Sequence, residues 1–166
     1  DDIGLVSAIR ALSEDFQAGG LEIVVDADPQ PPRSARMPEE ARTALYRVTQ
    51  EALTNIVRHS KATKVLVTMR ISERHVSLRI CDNGCGFDVA ERQEGVRGLG
   101  LRNMRERVEL HNGLFLIRSR TEETKSSIWN RQAEAEWTTE VMVRMPRQRI
   151  GPTIEQDMSV SAEAAE

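Results

Sequence analysis

Gln50-Glu51-Ala52-Leu53-Thr54-Asn55-Ile56-Val57-Arg58-His59 joins an apolar helical pattern to three polar groups at helical spacing. After Pro38, the residues Ala41, Ala44, Leu45, Val48, Ala52 and Ile56 recur on one face and predict a helix running to about residue 59. Glu51, Asn55 and His59 stand at i, i+4 and i+8, so they stack along one side of that helix. At about 100° per residue the stripe overlaps the edge of the apolar face. A carboxylate, an amide and an imidazole are therefore aimed near whatever that face packs on, and burying them without partners is costly. Two readings fit the stripe. In one it is a polar flank, solvated or paired locally. In the other Asn55 offers an oxygen to a hard cation such as magnesium, and Glu51 orients or accepts a proton.

Working outward, Ile3, Val6, Ile9 and Leu12, with Leu5 and Phe16, keep helical spacing, and Gly19-Gly20 stops that helix. Leu21-Glu22-Ile23-Val24-Val25 reads as a short strand. The stretch from Asp28 to Pro38 holds Pro29, Pro31, Pro32 and Pro38 and reads as a loop. Lys64–Ile71 and His75–Cys81 alternate on either side of Ser72-Glu73-Arg74, the pattern of an antiparallel hairpin. A helix from about Leu101 to Leu110 ends at Asn112-Gly113. Leu114–Ser119 and the alternating Val141, Val143 and Met145 predict two more strands. Asp82 to Gly100, with Gly84, Gly86, Gly95, Gly98 and Gly100, reads as a mobile loop. Arg120 to Trp137, carrying Trp129, is long and polar and fits no regular element; a loop folding back on apolar surface is the first reading for its two tryptophans, and a partner-binding insertion the second.

Three further motifs bear on chemistry. Cys81-Asp82-Asn83-Gly84-Cys85-Gly86-Phe87 directly follows an apolar strand. A carboxylate at a strand end can accept a hydrogen bond from an exocyclic amine such as that of adenine, and glycines two and four positions later allow close approach. An ordinary Asp-Asn-Gly turn has the same letters. Gly98-Leu99-Gly100-Leu101-Arg102-Asn103-Met104 opens a helix whose free amides would attract phosphate; a glycine hinge before a surface helix is the alternative. Thr138-Thr139-Glu140-Val141 leads into the last strand, where a hydroxyl could reach back toward Asp82 through water, or a plain β-branched strand could begin.

In this order, the motifs resemble the Bergerat-fold ATP-binding domain of the gyrase, Hsp90, histidine kinase and MutL superfamily. Within it they are most similar to sensor histidine kinases of the nitrate-sensor and hexose-phosphate-sensor type. Glu51-Ala52-Leu53-Thr54-Asn55 with His59 resembles the N box, Asp82-Asn83-Gly84-Cys85-Gly86 the first glycine box and Gly98-Leu99-Gly100-Leu101 the second. Arg47-Val48-Thr49-Gln50 and Asn103-Met104-Arg105-Glu106-Arg107 are typical of that type, and Asp1-Asp2-Ile3-Gly4-Leu5 is similar to the segment that follows the dimerising helices. The resemblance implies an α/β (α+β) two-layer sandwich, a mixed and mostly antiparallel sheet of about five strands with helices on one face. It implies residues 1–18 as the end of a dimerisation or linker helix, 19–146 as the ATPase domain with an insertion at 120–137, and 147–166 as a polar, disordered tail.

It also implies ATP and Mg²⁺ as cofactors. Asp82 would take the adenine amino group in a pocket shaped by Gly84 and Gly86. Asn55 would ligate the metal. Gly98, Leu99, Gly100 and Leu101 would face the phosphates, and Thr139 and Lys61 would also approach the nucleotide. Glu51, Asn55 and His59 would form the catalytic set. Phosphoryl transfer is chiefly positioning and charge neutralisation, so the metal and the helix amides would carry most of it. The implied partners are the phosphoacceptor helices of the same parent protein and a response regulator. Two departures stand out. None of His59, His75 and His111 lies in an acceptor context, so autophosphorylation of this chain is not expected. Trp137-Thr138 also stand where relatives carry two glycines before Thr139.

Composition excludes other classes. The 166 residues suit one domain, or one with a tail, and 39% hydrophobic with 30% charged residues suits a globular chain. A net charge of −3 gives no broad positive field for nucleic acid, and 4% aromatic residues make a base-stacking platform unpromising. No apolar run reaches the roughly 20 residues of a membrane helix. Cys81 and Cys85 make neither a zinc set nor a disulfide framework, which suits a reducing, cytoplasmic setting. The start at Asp1-Asp2 reads as a fragment of something longer whose parent could be membrane-anchored. The rival functions are an anti-sigma-type serine kinase on the same fold and a nucleotide-binding regulatory module without phosphotransfer; a gyrase-like ATPase fits least.

Overall fold

Strand alternation builds the centre of the molecule. In β3 (Lys64–Ile71) Val65, Val67, Met69 and Ile71 are buried, and in β4 (His75–Asp82) Val76, Leu78 and Ile80 are. The period of two sends each set to one face, and the antiparallel register Val67 to Ile80 and Met69 to Leu78 brings the two sets side by side. The computed structural model describes residues 2–17, 20–28, 35–90, 98–121 and 136–149. Trp129 and Gly95 lie outside those residues, as do 91–97 of the expected mobile loop and 122–135 of the expected insertion.

β1 (Glu22–Ala27), β5 (Leu114–Ser119) and β6 (Thr139–Pro146) complete a five-stranded sheet in the order β1-β3-β4-β6-β5. β1 runs parallel to β3, and the other pairs are antiparallel. The mixed, mostly antiparallel sheet inferred from sequence is therefore present. The apolar stripe of α2 (Glu39–Asn55), with Ala41, Ala44, Leu45, Val48, Ala52 and Leu53, lies buried over its centre. α1 (Asp2–Gln17) and α3 (Leu99–Glu109) flank α2 and add Leu5, Ile9, Leu12, Leu101, Met104 and Val108 to the same core.

Several boundaries differ from the expected ones. The first helix packs on α2 and β1 within the common core, because Leu5, Ile9 and Leu12 form a stripe that must be covered. Within the expected proline loop, Ala35–Arg36 forms a short strand, β2. It pairs with β7 (Gln148–Arg149) inside the segment expected as a tail. Arg147 is buried there. Its Nε donates to Asp2 Oδ2 at 2.9 Å, and its terminal nitrogens donate to the Ser72 and Ala35 carbonyls. Asp2 Oδ1 accepts the Met37 amide at 3.2 Å. A buried guanidinium is tolerable only when so completely paired, and this one ties together the start of α1, β2, the β3–β4 turn and the end of β6. α3 starts at Leu99 rather than near Leu101.

Candidate nucleotide site

α2 does not run on as a regular helix to His59. It ends at Asn55, and Ile56–Ser60 form one π turn, closed by Lys61 in the left-handed region at φ 54°. Such wide turns recur at functional sites because the extra residue re-aims the side chains that follow. His59 and Ser60 are turned onto the same cleft as Ala52, Asn55 and Ile56. Glu51 points elsewhere, toward the first turn of α3. A Cβ placed on Gly100 would lie 2.5 Å from Glu51 Oε1 and 3.6 Å from Asn55 Nδ2. The absence of a side chain at Gly100 thus lets the start of α3 rest on Glu51 and Asn55.

The cleft between α2, α3 and the sheet encloses about 730 Å³, including its mouth open to solvent. Its floor is apolar, built from Ile80, Ile117 and Val141 of the strands, with Leu101 and Met104 of α3 opposite. At the end of β4 the Asp82 carboxyl projects into this apolar surround and is 3% exposed. Burial strips the charged form of water and pushes its pKa up from 3.8 to about 6, partly offset by the Gly84 amide and the Ser60 hydroxyl. The Gly84 amide donates to Asp82 Oδ1 at 2.8 Å. At neutral pH the group is mostly ionised in a nearly dry wall, a strong acceptor for a buried donor.

The glycine-box segment that carries Asp82 is held by the neighbouring strands. Asn83 Oδ1 accepts the Thr63 and Lys64 amides, both at 2.9 Å. The Cys85 amide donates to the Ser60 carbonyl at 2.7 Å. Ser119 Oγ accepts the Phe87 amide at 3.0 Å and shares a hydrogen bond with Thr139 Oγ1 at 2.8 Å. The Thr138 hydroxyl reaches the Asp82 carbonyl at 3.1 Å and the Gly84 carbonyl at 2.8 Å. Both ends of the long connection are thereby fastened to this wall. Thr138 thus reaches the glycine-box segment directly, through its main-chain carbonyls.

Of the residues singled out from sequence, Asn55, His59, Asp82, Gly86, Gly100, Leu101 and Thr139 line the cleft. Glu51, Lys61, Gly84, Gly98 and Leu99 do not. Gly84 is needed by the chain itself, since a Cβ there would overlap the Ser60 carbonyl and come within 2.8 Å of Asp82 Oδ1. Gly86 has φ +66°, and its Cβ would overlap the Arg120 carbonyl. Lys61 is exposed at the outer end of the π turn, and Leu99 is 58% exposed. Sequence reasoning missed Ser60, Met104 and the strand residues of the floor. Periodicity marks the apolar ones as core without marking which face a cleft, and nothing in the local sequence announces the π turn that brings in Ser60. Among the described residues no cluster of three His, Cys, Asp or Glu could hold a metal by itself.

An α+β sandwich with a buried strand-end carboxylate, an apolar floor and a helix N-terminus at its rim defines a nucleotide-binding ATPase domain. The chain belongs to the histidine kinase-, DNA gyrase B- and HSP90-like ATPase family, whose model matches residues 40–149. It is 39% identical over 146 residues to the sensor histidine kinase MctS of Rhizobium johnstonii, covering 81% of this chain and 31% of that protein. It is 36% identical over 120 residues to the signal transduction histidine-protein kinase/phosphatase DegS of Brevibacillus brevis, covering 72% of this chain and 30% of that one. The chain thus spans under a third of the length of these curated relatives. Among solved structures, its fold is similar to the catalytic domain of histidine kinase ThkA, with TM-score 0.64, 13% identity and coverage of 90% of this chain and 95% of that one. The ATP-binding domain of PrrB from Mycobacterium tuberculosis gives TM-score 0.61 at 19% identity, covering 86% and 93%.

Proposed function

We propose that this chain is the ATP-binding catalytic domain of a bacterial two-component sensor histidine kinase. It would pass the γ-phosphate of ATP to a histidine outside the chain, and from there to an aspartate of a response regulator. The observation that carries the reading is the Asp82 carboxylate, buried at the end of an apolar cleft floor in a cleft that Asn55 and Gly100 of α3 also line. In this reading Asp82 accepts the adenine amino group, and Ile80, Ile117, Val141 and Met104 cover the base. The first amides of α3, whose N-terminus has no side-chain cap, face the phosphates. Glu51, beside Gly100, stands where it can orient the attacking group.

Magnesium fits the donors present. Asn55 offers one oxygen at the cleft, and Glu51 lies within reach of the same turn of α3. That set suits an ion held mostly by phosphate oxygens and water rather than by a protein cage. When bound, the ion would neutralise charge on the phosphates. Of the chain's three histidines, His75 lies at the start of β4 beside Arg144 and His111 in the turn after α3, which supports an acceptor located elsewhere. Arg47–Gln50 and Asn103–Arg107 favour the nitrate-sensor and hexose-phosphate-sensor type. The reading carries with it a cytoplasmic domain, and no helix of the described residues is long and apolar enough to cross a membrane.

Calorimetric titration of ATP into the chain, with and without magnesium, tests the binding half: magnesium-dependent binding is expected, and its absence would overturn the reading. Addition of a two-helix fragment bearing an acceptor histidine tests the transfer half. Labelled histidine is the expected product. Labelled serine on an anti-sigma-type substrate would favour the serine-kinase alternative, and binding without any transfer would make the chain a regulatory nucleotide module.

A further inference from the structure

Ser60 is the one polar residue lining the cleft that no motif contains. It closes the Ile56–Ser60 π turn, is half-buried and lines the cleft with Asp82. Its position is fixed from three sides. Its Oγ donates to the Ile56 carbonyl at 2.9 Å and accepts the Ala62 amide at 3.1 Å, while its own carbonyl accepts the Cys85 amide at 2.7 Å. The point where a Cβ on Gly84 would sit is 2.6 Å from Ser60 Cβ and 2.8 Å from Asp82 Oδ1. The serine side chain and the carboxylate therefore flank one small gap, which Gly84 keeps open. Had the helix continued at its ordinary 100° per residue, Ser60 would be rotated to a different bearing.

We propose that Ser60 is a positioning residue of the adenine pocket: its hydroxyl, turned into the cleft by the π turn, holds the Asp82 carboxylate in the orientation that accepts an exocyclic amine. The proposal rests on the reading of Asp82 as the adenine acceptor. A hydroxyl has one proton and can rotate it between the Ile56 carbonyl and the carboxylate. The bond to the charged oxygen is the stronger of the two. Two donors, the Gly84 amide and the Ser60 hydroxyl, then face an anion that burial alone would tend to protonate, and both pull its pKa back down. The other titratable side chains lining the cleft are His59 and Cys85, and the Cys85 thiol lies 3.6 Å from the His59 carbonyl.

The test is ADP titration of the 166-residue chain between pH 5 and 8, with GDP as the competing base, for wild type, Ser60→Ala and Ser60→Thr. Wild-type affinity is expected to fall as pH drops through about 6. Loss of one hydrogen bond to a charged group should weaken ADP about tenfold at pH 7 in Ser60→Ala. The midpoint of the pH profile should move upward, the preference for ADP over GDP should narrow, and Ser60→Thr should restore all three. The same series on a His59→Asn background should keep the upward displacement, since it belongs to the carboxylate. If Ser60→Ala does not fold, Ser60→Cys keeps the volume with a weaker hydrogen bond and gives the same comparison. A Ser60→Ala variant that melts earlier yet keeps the wild-type midpoint and base preference would overturn the proposal and leave the hydroxyl as a cap of the turn. Wild-type binding with neither a pH midpoint nor a base preference would instead overturn the adenine role of Asp82.

Discussion

Asp82→Asn separates what the carboxylate does for binding from what it costs the fold. In the folded chain the group titrates at about 6, against 3.8 when free of burial. The folded state thus holds the proton more tightly than the unfolded one, so this group's contribution to stability falls as pH rises from about 4 to about 6. At about 1.4 kcal/mol per pH unit, keeping Asp82 ionised at neutral pH costs the fold about 3 kcal/mol. Asparagine keeps the oxygen that accepts the Gly84 amide but cannot ionise. Its NH₂ needs a partner of its own, at a cost of about 1–3 kcal/mol if none is found, so the absolute change at one pH is not the diagnostic. The pH dependence is. Relative to wild type, Asp82→Asn should lose about 2–3 kcal/mol of advantage between pH 7.5 and pH 4. For a chain of this size that corresponds to roughly 5–10 °C in Tm. Urea or thermal unfolding of both proteins across this range reads it directly, and nucleotide titration at pH 7.5 should show adenine affinity lost in the variant. A stability difference that is flat with pH would refute the burial argument. Undiminished ADP binding by the variant would refute the adenine assignment.

Other expectations are more local. Asn55→Ala should keep part of the nucleotide affinity and lose its dependence on magnesium in calorimetric titrations with and without the ion; an unchanged magnesium response would move the metal elsewhere. Gly86→Ala should destabilise by about 1–3 kcal/mol from its positive φ alone, and by more once the overlap with the Arg120 carbonyl is added, as read by urea unfolding. Arg147→Met should cost about 3–5 kcal/mol by leaving Asp2 buried and unpaired, and adding Asp2→Asn should recover part of that; equal melting of single and double variants would deny the pair its structural role. Thr138→Val, which removes the hydroxyl reaching Asp82 and Gly84, should cost about 1 kcal/mol in the same assay.

The elements were legible where one period dominated. The alternation of Lys64–Ile71 and His75–Cys81 and the 3.6-residue spacing from Ala41 to Ile56 mark the hairpin and the helix over it, because each buries one continuous apolar face. Asp82, Asn55 and Gly100 were legible as a set through the order of their motifs. Three things were not. The π turn at Ile56–Ser60 answers to tertiary packing against the glycine-box segment, a contact with no local periodicity. The β2–β7 pair and the Arg147–Asp2 bond join positions 112 and 145 residues apart, so nothing in either neighbourhood foretells the other. The glycines were seen as ligand clearance, yet Gly84 makes room for Ser60 and Gly86 for Arg120.

The order of residues, then, marked the main helices and the five strands of the sheet, the apolar core and which motif supplies the acidic group, since these depend on spacing along one chain segment. Folding in three dimensions placed the carboxylate in a nearly dry wall. It also decided that Asn55, His59 and Ser60 share its cleft while Glu51 and Lys61 do not. Burial and convergence are properties of segments brought together from far apart, and the work of desolvating a charge is done by neighbours that its own sequence does not contain.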